Sequence, residues 1–224
     1  MQVNRTRGPE GVFYLLLLLS SLLAFLKFFY DRYFHTLFRV FFNTTLRQSQ
    51  LTDQLMQSKL ASLFYNLLFF FSGGMFLFFL LNSEGRLAGL NPALLLLACA
   101  LGIAAVYGIK YLTLKFTGWL TGMGTATDTY IFIIFLVNKI MGILLLPLLV
   151  LIAFTDNPLK EYARYAAFFT IGLLLITRFV RSFGLLQSKI RVSRLHFLLY
   201  VAGIEIIPML VLWKLLFTFL DKNL

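Results

Sequence analysis

Six long apolar runs alternate with short polar stretches along the 224 residues. As helices, runs of this length cross a hydrocarbon layer about 30 Å thick. They predict spans over residues 12–30, 60–81, 92–111, 129–154, 162–183 and 195–220. The fold class that follows is an all-α integral membrane protein, one polytopic domain over residues 1–224, with one or two interfacial amphipathic helices added. The first run follows a polar start carrying Arg5 and Arg7 and resembles a secretory signal in outline. No small-x-small cleavage site follows it, so it reads as a retained helix.

Residues 31–50 are different in kind. Phe34, Leu37, Phe38 and Phe41 recur at three-four spacing, with Arg32, His35 and Arg39 largely opposite, the pattern of a helix lying in the headgroup layer. Lys110 to Asp128 reads as a second surface segment. In it Leu112, Phe116 and Leu120 lie on the membrane beside Trp119, Lys110 and Lys115 turn towards phosphates, and Gly118, Gly122 and Gly124 form a flexible turn. Those glycines are not a phosphate loop, since no Gly-Lys-Ser/Thr follows them and no strand precedes them. Gly73-Gly74 permits a bend or close packing, Ala98, Gly102, Ala105 and Gly108 mark a tightly packed third span, and Arg178 and Arg181 are placed to snorkel.

Composition agrees with lipid as the solvent. Hydrophobic residues make up 60% of the chain and charged ones 13%, against about half and about a quarter in soluble domains. The net charge of +11 reads as loop charge that sets topology and touches anionic headgroups. No nucleic-acid partner is expected, because no basic run is interleaved with exposed aromatics on a soluble module. Cys99 is the single cysteine and His35 and His196 the two histidines, too few for an internal disulfide or a thiolate metal centre. No cofactor is expected. Neither Gly-x-Ser-x-Gly nor His-Glu-x-x-His occurs, and no paired-carboxylate motif is present, so no enzymatic activity is expected either.

The informative residues are charges inside apolar runs. Glu205 interrupts the sixth span and needs a partner, a proton or water. Six spans put both termini on one side, and positive charge gathers in the loops after the first, third and fifth spans, including Arg32, Arg39, Lys110, Lys115, Lys189 and Arg191. Positive charge favours the cytoplasm, which puts both termini outside, although Arg5 and Arg7 argue the other way locally. The fourth and sixth spans then run in the same direction. Lys139 lies roughly 14 Å along its helix from Tyr130, and Glu205 roughly 15 Å from Leu195. Asp128 precedes Lys139 by the same interval that Arg194 precedes Glu205, and that interval returns to nearly the same helix face. Two bridges are therefore expected, Lys139 to Glu205 and Asp128 to Arg194. Pro147 and Pro208 sit in echoing stretches, LLLPLLVLI and EIIPMLVLW, and are expected to kink their helices.

The segment RLHFLLYVAGIEIIPMLVLWK, with NKIMGILLLPLLVL upstream and the aromatic amphipathic stretch after the first span, resembles a family of Bacteroidetes membrane proteins. That family is catalogued as a domain of unknown function, number forty-two seventy-one. The likeness runs from about Tyr30 onward and is most specific at His196, Phe197, Tyr200, Glu205, Pro208 and Lys214. It implies a bacterial inner-membrane location and supplies no catalytic residues.

Two functions compete at this level. One is a non-enzymatic subunit or scaffold of a cell-envelope complex, with the bilayer and other membrane proteins or further copies of itself as partners. The other is a proton- or ion-coupled carrier of small solutes that uses Glu205 and Lys139.

Overall fold

The computed structural model describes residues 9–42, 55, 58–83, 92–120, 122, 124–189, 203 and 214. Among these residues the regular elements are helices: α1 (Pro9–Phe29), α2 (Asp31–Phe42), α3 (Lys59–Ser83), α4 (Pro92–Leu120), α5 (Gly124–Phe154) and α6 (Leu159–Lys189). Five stretches within them are long and apolar enough to cross a membrane: Gly11–Phe29, Lys59–Leu81, Pro92–Leu120, Thr127–Phe154 and Leu159–Ser182. The sixth expected span lies outside the described residues.

The bundle is built around α5. Its apolar stretch is 72% buried, against 17% for that of α1 and 22% for those of α4 and α6, and α5 touches each of the other five helices. This follows from the sequence. A helix apolar all round belongs in the middle of a bundle, and Ile133, Val137, Ile140, Leu145, Leu149 and Ile152 are all buried. Pro147 lies inside this continuous helix, on an exposed position.

Helices α3 and α5 run parallel and come very close. A Cβ on Gly142 would stand 2.7 Å from the Phe69 Cα, so the backbones meet where only glycine fits. The Gly73-Gly74 pair resolves as close packing: α3 is continuous through it, and a Cβ on Gly74 would lie 2.7 Å from the Ala100 backbone on α4.

Three expectations need correction. Helix α4 runs on to Leu120 through the stretch read as a surface loop, and the turn is confined to the residues around Gly122, which has φ +69°. The polar residues within it are compatible with a helix, since Thr113 and Thr117 bond back to the carbonyls of Ile109 and Thr113 at 2.9 and 2.7 Å. Lys110, Leu114 and Gly118, four apart, form its buried face, so Lys110 points into the protein and not towards headgroups.

Arg178 does not snorkel. Arg178 is 1% exposed, with Nη1 3.5 Å from the Tyr107 hydroxyl and the guanidinium 6.0 Å from that ring's centre. Arg181 reaches across to α2, donating to the Val40 carbonyl at 3.0 Å and to the Phe41 carbonyl, and lies 4.9 Å over the Phe41 ring.

Helix α2, finally, turns its apolar face into the bundle. Tyr33, Leu37, Val40 and Phe41 are buried while Arg32, His35 and Arg39 are exposed. It follows α1 almost without a break, since Tyr30 N–H bonds Leu26 O at 2.9 Å and Phe34 N–H bonds Tyr30 O at 3.0 Å. Its helix is described over Asp31–Phe42; the remainder of the expected stretch, to residue 50, lies outside the described residues.

Candidate functional site

Lys139 is the organising residue of the interior. It sits near the middle of the central helix and is 5% exposed, where an ammonium group loses its hydration and must be met by protein. Its Nζ donates to the Ser62 hydroxyl on α3 at 2.6 Å and to the Tyr33 hydroxyl on α2 at 2.9 Å. One side chain thus joins three helices. Among the described residues no carboxylate pairs with it.

The surroundings are polar beyond these two contacts. The Tyr33 ring stacks on Tyr65 of α3, with centroids 5.4 Å apart and planes at 17°. Tyr65 is fully buried, and its hydroxyl has no partner among the described residues. Asn138 is also fully buried, and both ends of its amide lack one. The helix register places it. Gly142 lies against Phe69, and one turn back along both parallel helices Asn138 comes level with Tyr65. The cluster is therefore Tyr33 from α2, Ser62 and Tyr65 from α3, and Asn138 and Lys139 from α5. Burial pushes the Tyr33 phenol up to about 12, and its hydrogen bond with Ser62 pulls only partly the other way. Tyr33 is thus a neutral hydroxyl at physiological pH.

Of the residues singled out in the sequence, Lys139 is at the centre of this cluster. Glu205, Arg194, His196, Phe197, Tyr200 and Pro208 lie outside the described residues, and so do both expected bridges. Asp128 forms an ion pair with Lys115 at 2.6 Å, each side chain 46% exposed, which ties the α4–α5 hairpin at its turn end. Lys214 is exposed. Sequence reasoning did not single out Tyr33, Ser62 or Tyr65. A signal was there for two of them: Ser62, Tyr65 and Asn66 are polar at three-four spacing inside an apolar run.

A family model described as Domain of unknown function (DUF4271) matches residues 12–216, nearly the whole chain. The protein belongs to the DUF4271 family. No curated protein and no solved structure matches the chain. In this DUF4271 protein every member of the cluster, from Tyr33 to Lys139, falls inside the matched region.

Proposed function

We propose that this DUF4271 protein is a non-enzymatic subunit or scaffold of a cell-envelope complex in the bacterial inner membrane. The observation that carries this is how α2 is held. Lys139 binds it through Tyr33, and Arg181 binds the carbonyls of Val40 and Phe41 at its C-terminal end. A guanidinium is a strong donor to backbone carbonyls, and a cation in the last turn of α2 also meets the negative side of the helix dipole. Two buried or half-buried cations on different helices thus fix one short amphipathic helix against the bundle. Its outward face carries Arg32 and Arg39, with His35 3.2 Å from the exposed Asp31, and the two arginines are of the kind that suits docking to an acidic partner segment or to headgroups.

Native co-purification in mild detergent tests this. Stoichiometric partner chains support the scaffold; recovery of the protein alone, or only with itself, counts against it.

The polar cluster favours a second reading, a proton- or ion-coupled carrier of small solutes that uses Lys139 and Glu205. Asn138 and Tyr65, buried with unpartnered polar atoms beside a lysine, are the kind of intramembrane groups that line ion paths. Reconstitution of the pure protein with a pH-sensitive dye tests it: a flux that Glu205→Gln abolishes supports the carrier.

A further inference from the structure

Where α1 passes into α2, Ala24, Lys27, Phe28 and Asp31 recur at three-four spacing, and all four are exposed. Together they line an open groove of about 370 Å³. Lys27 stands in the last turn of α1 and Asp31 in the first of α2. With α1 as a membrane span, its apolar run ends here, at the depth of the lipid headgroups.

The two charges do not satisfy each other. A lysine followed four residues later by an acid is the weaker order for a helix pair, and no ion pair joins Lys27 to Asp31. The Lys27 ammonium lies 5.7 Å from the centre of the Phe34 ring, a contact that leaves N–H groups over for an acceptor. Asp31 meets the His35 ring through Oδ1 at 3.2 Å and its side chain is 61% exposed, so acceptor positions remain on the carboxylate. The groove thus offers a cation and an anion one turn apart, roughly 6 Å along the axis. Its walls are apolar: Phe28 is 81% exposed on one side and Ala24 leaves a depression. The same helix face continues along α1 through Ser21 and Leu17, both exposed.

We propose that this groove binds one phospholipid with a primary-amine headgroup, of the phosphatidylethanolamine type. Lys27 takes the phosphate, Asp31 takes the ammonium, and an acyl chain follows Ala24, Ser21 and Leu17. Charge complementarity selects the occupant. Phosphate and ammonium in this headgroup are two carbons apart, a span of the same order as one helical turn. Phosphatidylglycerol brings a phosphate but no cation for Asp31. Phosphatidylcholine brings a cation without N–H groups, so the carboxylate gains no charge-assisted hydrogen bond. The site rests on the five long helices being membrane spans and stands apart from the choice between scaffold and carrier.

The test is titration of the delipidated full chain in mild detergent with short-chain phosphatidylethanolamine, phosphatidylglycerol and phosphatidylcholine of one acyl composition. Native mass spectrometry counts the bound lipids. One saturable phosphatidylethanolamine is expected, with the other two at least about tenfold weaker. Lys27→Gln should weaken the ethanolamine lipid by at least about tenfold. Asp31→Asn should weaken it likewise without weakening phosphatidylglycerol, so that the preference disappears. Both residues are exposed, and the thermal unfolding midpoint should not move; the wild-type comparison of headgroups decides the matter if a variant does not purify folded. No saturable binding, equal affinity for the three lipids, or a preference kept in Asp31→Asn each overturns the proposal. O-phosphoethanolamine, which lacks the chains, binding as tightly as the lipid would overturn it too.

Discussion

Lys139 and Ser62 are worth more to each other than either is alone. A buried ammonium deprived of one acceptor costs more than an apolar side chain in its place, because the loss is the desolvation of a charge. Ser62→Ala in the native background should therefore cost roughly 1.5–3 kcal/mol, the range for hydrogen bonds to charged groups. In a Lys139→Met background the same change should cost well under about 1 kcal/mol. A double-mutant cycle by unfolding in detergent measures this, and equal costs in both backgrounds would show that the 2.6 Å contact carries no coupling. Tyr33 adds a pH dependence. Its phenol is raised from 10.0 to about 12 by burial, so as the pH rises the unfolded chain loses that proton first. Its contribution to stability is intact below about pH 10 and is lost between there and about pH 12, at roughly 1.4 kcal/mol per pH unit. Tyr33→Phe should flatten that alkaline slope.

At the scale of elements, Arg181 fastens α2. Arg181→Ala removes its hydrogen bonds to the Val40 and Phe41 carbonyls, and hydrogen exchange should quicken in the last turn of α2 while α5 stays protected. Unchanged exchange there would mean that apolar burial alone holds the helix. The amphipathic pattern of α2 was legible because alternation between an apolar and a charged face is a local property of the sequence. What it faces was not legible. Phe34 and Phe38 are half-buried, and the inward face is Tyr33, Leu37, Val40 and Phe41, a rotation that depends on where α5 and Arg181 stand. Five long helices likewise follow from run length. The continuation of α4 to Leu120 was hidden because lysines and a glycine cluster read as a surface turn, whereas Lys110 and Gly118 lie on the buried face of the helix. The inward turn of Arg178 was hidden for a related reason: Tyr107, its partner, is 71 residues away, and no periodicity records a contact across that distance. In the cluster, Lys139 was legible as an anomaly, while its partners were ordinary polar residues until three helices met.

For the whole molecule, helices of this length and apolarity make a multi-pass membrane protein the coherent reading. The orientation expected from the distribution of positive charge would put the junction between α1 and α3, and with it the exposed Arg39 of α2, on the cytoplasmic side. A cysteine at Arg39 should then resist a membrane-impermeant thiol reagent in intact spheroplasts and react after lysis; labelling before lysis would invert the topology. The central claim, however, is that a bundle with fixed polar ties presents α2 to a partner. The most direct measurement is native pull-down of wild type beside a variant carrying Arg32→Glu and Arg39→Glu, each followed by thermal unfolding. Both substitutions fall on exposed positions, so the scaffold reading predicts an unchanged unfolding midpoint and loss of a stoichiometric partner that the wild type retains. Wild-type protein that purifies without any partner, or a partner retained in full by the charge-reversed variant, would contradict it.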